Sequence, residues 1–147
     1  MEGDMTDFPK DHSGLEIVPL TECLRLLASV PIGRIAFQAD GEVVVLPVNH
    51  LVDGQDIVFR TASGSKLSAA EKTDIVAFEA DDYDAQTKSG WSVVVNGRAE
   101  VLYENTETQR LDGLDLHPWP TAVDCPFWIR IRPISVSGRQ IPKYSSR

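Results

Sequence analysis

The sequence predicts a mainly β protein, a six-stranded antiparallel β-barrel with two or three short helices. Apolar and polar residues alternate with a period of two over most of the chain between residues 33 and 137, as in strands that bury one face. Asp-Gly pairs at 40–41 and 53–54 follow two of these segments and predict tight turns between antiparallel neighbours. Because six strands that close on themselves leave no exposed edge, we expect a small barrel.

The first predicted element is a short helix. Thr21 is its expected N-cap, and an apolar stripe runs from Cys23 to Leu27. Residues 29–31 end the helix with a proline. We expect one domain between two tails, with bounds of 1–14 for a flexible, acidic N-terminal tail, 15–139 for the domain and 140–147 for a loose C-terminal tail.

A meander of three strands follows, with expected bounds of 33–38, 42–49 and 56–61. The second strand is apolar on both faces over residues 43–48, so we expect it to lie centrally with both faces covered. Pro47 interrupts this strand. Because a proline has no N–H to give to a ladder, this position predicts an edge or a bulge.

The second half of the chain adds further strands. The strand expected at 74–81 leads into an acidic segment, 81–84, which we predict to be a loop and which lacks the spacing of a calcium site. The longest candidate, 90–103, keeps its period across Asn96-Gly97, which favours a bulge or a close backbone approach over a turn. The remaining elements are a helix at 106–113, an irregular segment at 117–120 and a last strand at 127–137.

Charge and composition restrict the partners. The 147 residues carry a formal net charge of −8, which argues against a nucleic-acid partner because binding a phosphate polymer requires a basic face. No apolar run reaches the ~20 residues that a membrane helix needs, and the acidic start does not resemble a signal peptide. We therefore expect a cytoplasmic protein with no membrane partner, in which Cys23 and Cys125 are reduced.

One segment, IVFRTASGSKLSAAEK at 57–72, concentrates groups that bind anions. We expect a strand that ends near Arg60, a small-residue turn and a short helix. Arginine offers a planar fork for two phosphate oxygens, and the start of a helix offers unpaired N–H groups. The other polar groups of the segment are Thr61, Ser63, Ser65 and Lys66. We interpret the segment as a phosphate pocket; the alternative is an exposed strand residue, a plain helix cap and a solvated lysine.

The histidines of the chain give only weak indications of function. The histidines are His12, His50 and His117. They stand in unrelated contexts, His50 is interpreted as structural, and no metal or hydrolytic site is visible. Catalytic side chains therefore stay unassigned, and a bound cofactor is the expected reacting group.

Two further positions have open interpretations. Trp91 is a core or interface residue, or it contacts a flat ring. Arg130 and Arg132 share one face of the last strand, where a solvated face with acidic neighbours competes with ligand binding.

Seven sequence blocks carry a resemblance to a known family. They are CLRLLAS, GRIAF, VVLPVNH, IVFRTASGSKL, IVAFEADDYD, GWSVVVNGRAEV and WIRIRPISVSGRQI. In order and spacing they resemble the FMN-binding split-barrel superfamily, the group around pyridoxamine phosphate oxidase. The likeness runs over residues 20–141 and is closest to the small, actinobacterial-type oxidase-like members.

This resemblance implies a split β-barrel that forms a homodimer with FMN at the subunit interface. The residues that would hold the FMN phosphate are Arg60, Thr61 and Lys66, with help from Ser63 or Ser65. The residues that would line or approach the isoalloxazine ring are Pro47, Val48 and Asn49, through their backbone, and Trp91 and Ser92, with the partner subunit as one source of the last two.

The function implied by the resemblance is that of a flavin-dependent oxidoreductase with noncovalent FMN and a small-molecule substrate. The residues that hold the substrate phosphate in true pyridoxamine phosphate oxidases are not found near the C-terminus, so the substrate stays unassigned. One alternative is a deazaflavin coenzyme in the same pocket, because it also carries a tricyclic ring and a phosphate. The other is a barrel without enzymatic activity that binds flavin or haem.

Overall fold

The computed structural model describes residues 8–103, 105–114, 116 and 125–142, which form seven strands and three helices. In chain order the elements are β1 (Glu16–Val18), α1 (Leu20–Ala28), β2 (Ile32–Ala39), β3 (Glu42–Asp53), β4 (Asp56–Thr61), α2 (Ser65–Glu71), β5 (Ile75–Asp84), β6 (Ser89–Leu102), α3 (Thr106–Asp112) and β7 (Phe127–Ile141). The segment at 117–120, with His117, and residues 1–7 and 143–147 of the expected tails lie outside the described residues.

The strands form one antiparallel sheet that closes on itself. The ring runs β7–β4–β3–β2–β5–β6 and is completed by the pairing of β6 with β7. The short strand β1 pairs with the end of β7, beyond the part of β7 that meets β4. The mainly β antiparallel barrel is therefore confirmed, with one short strand more than expected.

Inward-facing side chains fill the barrel, because alternate residues of a strand point to the same side. Phe59 and Phe78 are completely buried in this core, and burying a side chain of this size contributes roughly 1.5–3 kcal/mol. Helices α1 and α2 add Leu27 and Leu67 to the same core. Both helices are therefore held against the barrel by apolar residues. Within the described part of the chain, no helix is long and apolar enough to cross a bilayer.

A second apolar cluster lies on the outside of β4 and β7, under α3. It consists of Val58, Leu111, Leu116 and Trp128. Helix α3 begins with a capping box in which Asn105 Oδ1 accepts from Thr108 N at 3.1 Å and Thr108 Oγ1 accepts from Asn105 N at 2.9 Å. The helix predicted at 106–113 is confirmed, and it covers one outer face of the barrel.

The predicted bulge on the longest strand is confirmed, because the register of β6 and β7 shifts between Asn96 and Gly97. A Cβ atom at Gly97 would lie 2.4 Å from Arg132 O. The two backbones therefore approach so closely that glycine is required at this position.

The predicted N-cap at Thr21 is wrong. Helix α1 begins at Leu20, and Pro19 is its N-cap, with φ −69° and ψ 160°. The carbonyl of Pro19 accepts from Cys23 N at 2.9 Å and closes the first turn. The fixed φ of proline suits the entry to a helix, so the helix starts without a side-chain cap.

The acidic segment at 81–84 is not the predicted loop. It continues β5 and pairs with residues 89–92 of β6. All four acidic-segment residues are exposed. A strand that buries neither face does not need alternating apolar and polar residues, and so its sequence resembles that of a loop.

The sheet also extends past the predicted C-terminal boundary. Gln140 and Ile141 pair with Trp91 and Gly90, so they belong to β7 rather than to a loose tail. The single domain at 15–139 stays a prediction, but the structure adds these two residues to its sheet.

The described part of the predicted N-terminal tail is likewise attached to the domain. Asp11 Oδ2 accepts from Arg139 Nε at 2.9 Å, and the backbone of Lys10 forms an isolated antiparallel β-bridge with that of Glu16.

The prediction that the second meander strand is covered on both faces is wrong. Val43 and Val45 point outward from β3 and are 69% and 59% exposed. Over residues 42–49, β3 pairs only with β2, and it pairs with β4 only from His50 to Asp53. Pro47 therefore lies on an edge, as its missing N–H predicted.

Candidate functional site

The candidate site lies where β3 and β4 separate. Their ladder ends at the pair His50–Phe59, beyond which β3 continues along β2 and β4 continues along β7. A continued register would set Asn49 opposite Arg60 and Val48 opposite Thr61. The expected ring-lining residues and the expected phosphate-binding residues therefore lie on the two sides of one gap in the barrel wall, here called the β3–β4 gap.

Arg60 is the cation at the β3–β4 gap. Its Nε donates to Cys125 O at 2.9 Å, and its Cζ lies 5.5 Å from the centroid of the Trp128 ring, within range of a cation–π interaction. The two terminal nitrogens of Arg60 make no hydrogen bond to a residue that the structure describes. Arg60 is thus held in place while its forked donors stay available for a ligand.

The turn after Arg60 carries the other expected phosphate ligands. Thr61 is buried, and its Oγ1 donates to Ala62 O at 3.1 Å, so this hydroxyl supports the turn. Ser63 and Ser65 are exposed, and Lys66 is half-buried in the first turn of α2. The structure therefore presents two hydroxyls and one ammonium group close in sequence to the Arg60 guanidinium.

Most of the described arginines are paired with carboxylates, whereas the two cations of this turn are not. Six described arginines contact carboxylates: Arg25, Arg34, Arg110, Arg130, Arg132 and Arg139. Arg60 and Lys66 form no ion pair with a described residue, although the chain has a net charge of −8. Two uncompensated cations beside exposed hydroxyls form a donor set suited to a phosphate dianion. The residues present therefore fit the phosphate of a nucleotide cofactor.

Pro47, Val48 and Asn49 form the other side of the β3–β4 gap. Pro47 is exposed, Val48 is buried and Asn49 is half-buried. Because β3 pairs only with β2 here, its other edge is outside any ladder with β4. This edge suits the expected backbone contacts with a flat ring, and those contacts stay a prediction.

Trp91 and Ser92 lie elsewhere on the same chain. Strands β2 and β5 separate them from residues 47–49, which puts Ser92 three strand spacings from Asn49, roughly 14 Å. Trp91 is half-buried and lines an open cavity of about 590 Å³ at the start of β6. The structure therefore does not bring these two residues to the β3–β4 gap within one chain, and their contact with a ring stays a prediction.

Sequence reasoning missed two groups that hold Arg60, the carbonyl of Cys125 and the indole of Trp128. Trp128 pairs directly with Arg60 in the β4–β7 register, and its Nε1 donates to Asp112 Oδ1 at 2.7 Å. The alternation in WIRIR does place Trp128 on the face of Arg130. Nothing local shows that this face of β7 lies beside β4.

Arg130 and Arg132 both have the expected acidic neighbours, but only Arg132 is solvated. The side chain of Arg130 is 4% exposed; its Nη2 lies 2.9 Å from Asp53 Oδ2 and its Nη1 lies 2.8 Å from Asp56 Oδ2. Arg132 is 60% exposed and lies 2.7 Å from Glu100. Because carboxylates occupy both guanidinium groups, we assign them to the structure of the barrel rather than to the candidate site.

His50 has the structural surroundings that its interpretation required. Its ring is buried, Nε2 lies 2.8 Å from Leu27 O, and the ring meets Phe78 edge-on at 4.8 Å. Burial lowers the pKa of the imidazole, which favours the neutral form at pH 7. In that form Nε2 carries the hydrogen and donates to Leu27 O.

An antiparallel barrel whose wall opens at a gap, with donors suited to a phosphate on the rim, defines a class, the small split-barrel proteins. The family model of pyridoxamine 5′-phosphate oxidase matches residues 19–140. The chain therefore belongs to the pyridoxamine 5′-phosphate oxidase family, and the resemblance seen in the sequence blocks is confirmed.

Individual proteins agree with this assignment. The uncharacterized protein Rv0080 of Mycobacterium tuberculosis is 39% identical over 138 residues, which cover 88% of this chain and 89% of that protein. The solved FAD-binding protein of Mycobacterium smegmatis is 36% identical with a TM-score of 0.70, over 84% of this chain and 96% of that one. A FAD-binding protein of Mesorhizobium loti shares the fold at 24% identity and a TM-score of 0.71, over 86% and 96% of the two chains.

Proposed function

We propose that this chain binds a flavin nucleotide at the β3–β4 gap and acts as a flavin-dependent oxidoreductase on a small molecule. The observation that carries the proposal is the pair of uncompensated cations, Arg60 and Lys66, beside exposed hydroxyls on the rim of the gap. Family membership and the likeness to the FAD-binding protein of M. smegmatis support the same class of ligand.

The part played by the chain itself is binding and orientation. Arg60 holds two phosphate oxygens through its terminal nitrogens, Lys66 supplies a second positive charge, and Ser63 or Ser65 donates a hydroxyl hydrogen bond. Residues 47–49 of β3, on the side that forms no ladder with β4, line the ring. A bound flavin supplies hydride-transfer chemistry, and no side chain is assigned as an acid or a base.

FMN is the form of the cofactor that we propose first. The donors of the turn, one arginine, one lysine and two hydroxyls, match a single phosphate monoester. FAD is the second candidate, because the M. smegmatis relative is a FAD-binding protein; its second phosphate would need donors beyond this turn. A deazaflavin coenzyme, with a similar ring and a phosphate, is the third.

Titration of the purified protein with FMN, FAD and a deazaflavin coenzyme tests the proposal. We expect FMN to bind most tightly, and FMN at ~100 times its Kd should stabilise the fold by about 2.7 kcal/mol. Arg60→Ala should weaken FMN binding roughly 10- to 100-fold, because a hydrogen bond to a charged group contributes about 1.5–3 kcal/mol. Arg60→Lys should restore only part of the affinity, since the fork is lost.

Arg98→Ala is the matched control for the loss of one positive charge. Arg98 is the other described arginine without a carboxylate partner, and it donates to Thr73 O at 3.2 Å. Its replacement should change the Kd for FMN by less than about twofold, because Arg98 lies on β6, which forms neither side of the β3–β4 gap, and solvent screens an exposed charge. Equal affinity of the wild type and Arg60→Ala would refute the phosphate role. If none of the three cofactors changes the fluorescence or the melting temperature, flavin binding itself is refuted.

Steady-state turnover tests the enzymatic part of the proposal. The flavin-loaded protein is supplied with a nicotinamide donor and an artificial electron acceptor, and we expect turnover that Arg60→Ala lowers at subsaturating FMN. Binding without turnover would favour a carrier or storage role over an oxidoreductase.

We also propose that the protein is a homodimer, formed through the outer face of β2, β3 and β5. This apolar outer face consists of Ala36, Val43, Val45, Ile75 and Ala77. Val45, Ala36 and Ala77 stand side by side in the strand register, and Ile75 is 55% exposed. A contiguous exposed apolar patch is typical of an interaction surface. Sedimentation should give twice the 16.2 kDa of one chain; the mass of one chain would contradict the dimer.

A cytoplasmic location completes the proposal. Cys23 is a buried thiol in the described structure, which suits a reducing compartment. Fractionation of cells that express the full chain should recover it with the cytosol, and recovery in a membrane or secreted fraction would contradict this location.

A further inference from the structure

The indole of Trp128 is fixed by the elements around it. Trp128 is 3% exposed and packs with Val58 of β4 and Leu111 of α3. Its Nε1 donates to Asp112 Oδ1, at the end of α3, at 2.7 Å. A buried indole N–H needs such an acceptor, so the orientation of the ring depends on α3.

The Arg60 guanidinium rests against this ring. Its Cζ lies 5.5 Å from the ring centroid, and its Nε donates to Cys125 O at 2.9 Å. Together these contacts restrain the guanidinium without using its two terminal nitrogens. The carboxylate of Asp112 is bound to the indole, so it does not occupy the guanidinium as Asp56 occupies Arg130.

We propose that Trp128, held by Asp112, is a positioning residue for Arg60, and that the ring sets the guanidinium fork in the orientation that receives the ligand phosphate. The inference rests on the proposed flavin function, because Arg60 must bind the phosphate for its orientation to matter. An arginine that is oriented before binding loses less conformational freedom when the ligand arrives. Trp128 therefore raises affinity through Arg60 and needs no contact of its own with the ligand.

A double-mutant cycle tests this role. FMN affinity is measured for the wild type, Trp128→Leu, Arg60→Ala and the double variant, and the cycle is repeated with FAD if FAD binds more tightly. Trp128→Leu should weaken binding about tenfold when Arg60 is present and less than about twofold when Arg60 is alanine. Trp128→Phe keeps an aromatic face and should recover most of the affinity.

Two further variants separate positioning from general damage to the fold. Val95→Ala lowers stability in the barrel core, outside the cluster that holds Trp128, so its effect on the Kd should be equal in both backgrounds. Asp112→Ala removes the acceptor of the indole from an exposed position and should reproduce part of the Trp128→Leu loss, again only when Arg60 is present. If Trp128→Leu does not fold, Asp112→Ala takes its place in the double-mutant cycle with Arg60→Ala. Urea unfolding of every variant shows which proteins are folded.

The outcomes distinguish this inference from the function on which it rests. If Trp128→Leu and Asp112→Ala weaken FMN binding equally with and without Arg60, the positioning role is overturned while the phosphate role of Arg60 stands. If Arg60→Ala has no effect on the Kd, the proposed phosphate site fails, and the inference fails with it.

Discussion

Glu79 is a carboxyl group on the outer face of β5 whose pKa lies above its ordinary value. Burial raises its pKa to about 6, a hydrogen bond with Asp81 acts in the same direction, and the Arg34 guanidinium 2.9 Å away opposes the shift. Because this pKa lies above the ordinary 4.5, the folded state binds the proton more readily than the unfolded state. The resulting stability is fully present below about pH 4.5 and is lost as the pH rises through about 6.

Glu79→Gln should remove this pH dependence. Between pH 5 and pH 7.5 the unfolding free energy of the variant should rise relative to that of the wild type by about 1 kcal/mol, a figure reduced for solvent screening of a side chain that is 31% exposed. Urea unfolding at several pH values measures it. Glu42→Gln, which removes an exposed carboxylate of β3, controls for the loss of one negative charge. Parallel pH curves for the wild type and Glu79→Gln would contradict the assignment.

Single residues were predictable where the chemistry of the backbone decides the outcome. Pro47 indicated an edge because it lacks an N–H, and Gly97 indicated a close approach because the strand period continued across it. The support of Arg60 was not predictable. Cys125 is 65 positions away in sequence, and no local pattern shows that the two residues meet.

At the scale of elements, Arg130 anchors α3 to the barrel. Its buried guanidinium lies 2.9 Å from Asp53 of β3 and 2.8 Å from Asp56 of β4, and it also contacts Glu107 in the first turn of α3. Carboxylates from β3, β4 and α3 thus all contact the positive charge of Arg130. A buried charge of this kind is stable only while its partners surround it.

Arg130→Ala should lower the free energy of unfolding by about 3–5 kcal/mol, because it leaves partly buried carboxylates without their partner. Arg132→Ala, two residues further along β7, is the matched control. Arg132 is 60% exposed, so its loss should cost less than about 1 kcal/mol. Both values come from urea unfolding at pH 7. Similar losses for the two variants would show that α3 does not depend on this ion-pair cluster.

Element types were easier to predict than their ends. The alternation of apolar and polar residues that identifies β5 stops at residue 80, because residues 81–84 are exposed on both faces of the strand. Thr21 has the chemistry of an N-cap, yet α1 begins at Leu20 with Pro19 as its N-cap, because the fixed φ of proline leads the chain into the helix. The end of β5 thus depends on its surroundings, whereas the start of α1 depends on the backbone constraint of one proline.

The whole barrel followed from the period of two and the Asp-Gly turns, but the β3–β4 gap did not. The gap exists because β3 leaves β4 for β2 and β4 continues along β7, and this choice of neighbour is not encoded locally. The apolar pattern on both faces at 43–48 predicts cover on both sides of the strand, whereas the described residues leave Val43 and Val45 exposed. Such a face suits cover by a second subunit.

Val45→Glu should therefore separate the proposed dimer into single chains and weaken flavin binding at the same time. A carboxylate in the centre of the apolar outer face would have to be buried without a partner on association, while in the free chain it would be solvated at little cost. Sedimentation and FMN titration of the same samples measure both effects. Ile134→Glu, at another exposed apolar residue on β7 that is 62% exposed, should change neither. If Val45→Glu sediments as a single chain and still binds FMN with unchanged affinity, the β3–β4 gap of one subunit is a sufficient site, and Trp91 and Ser92 have no part in it.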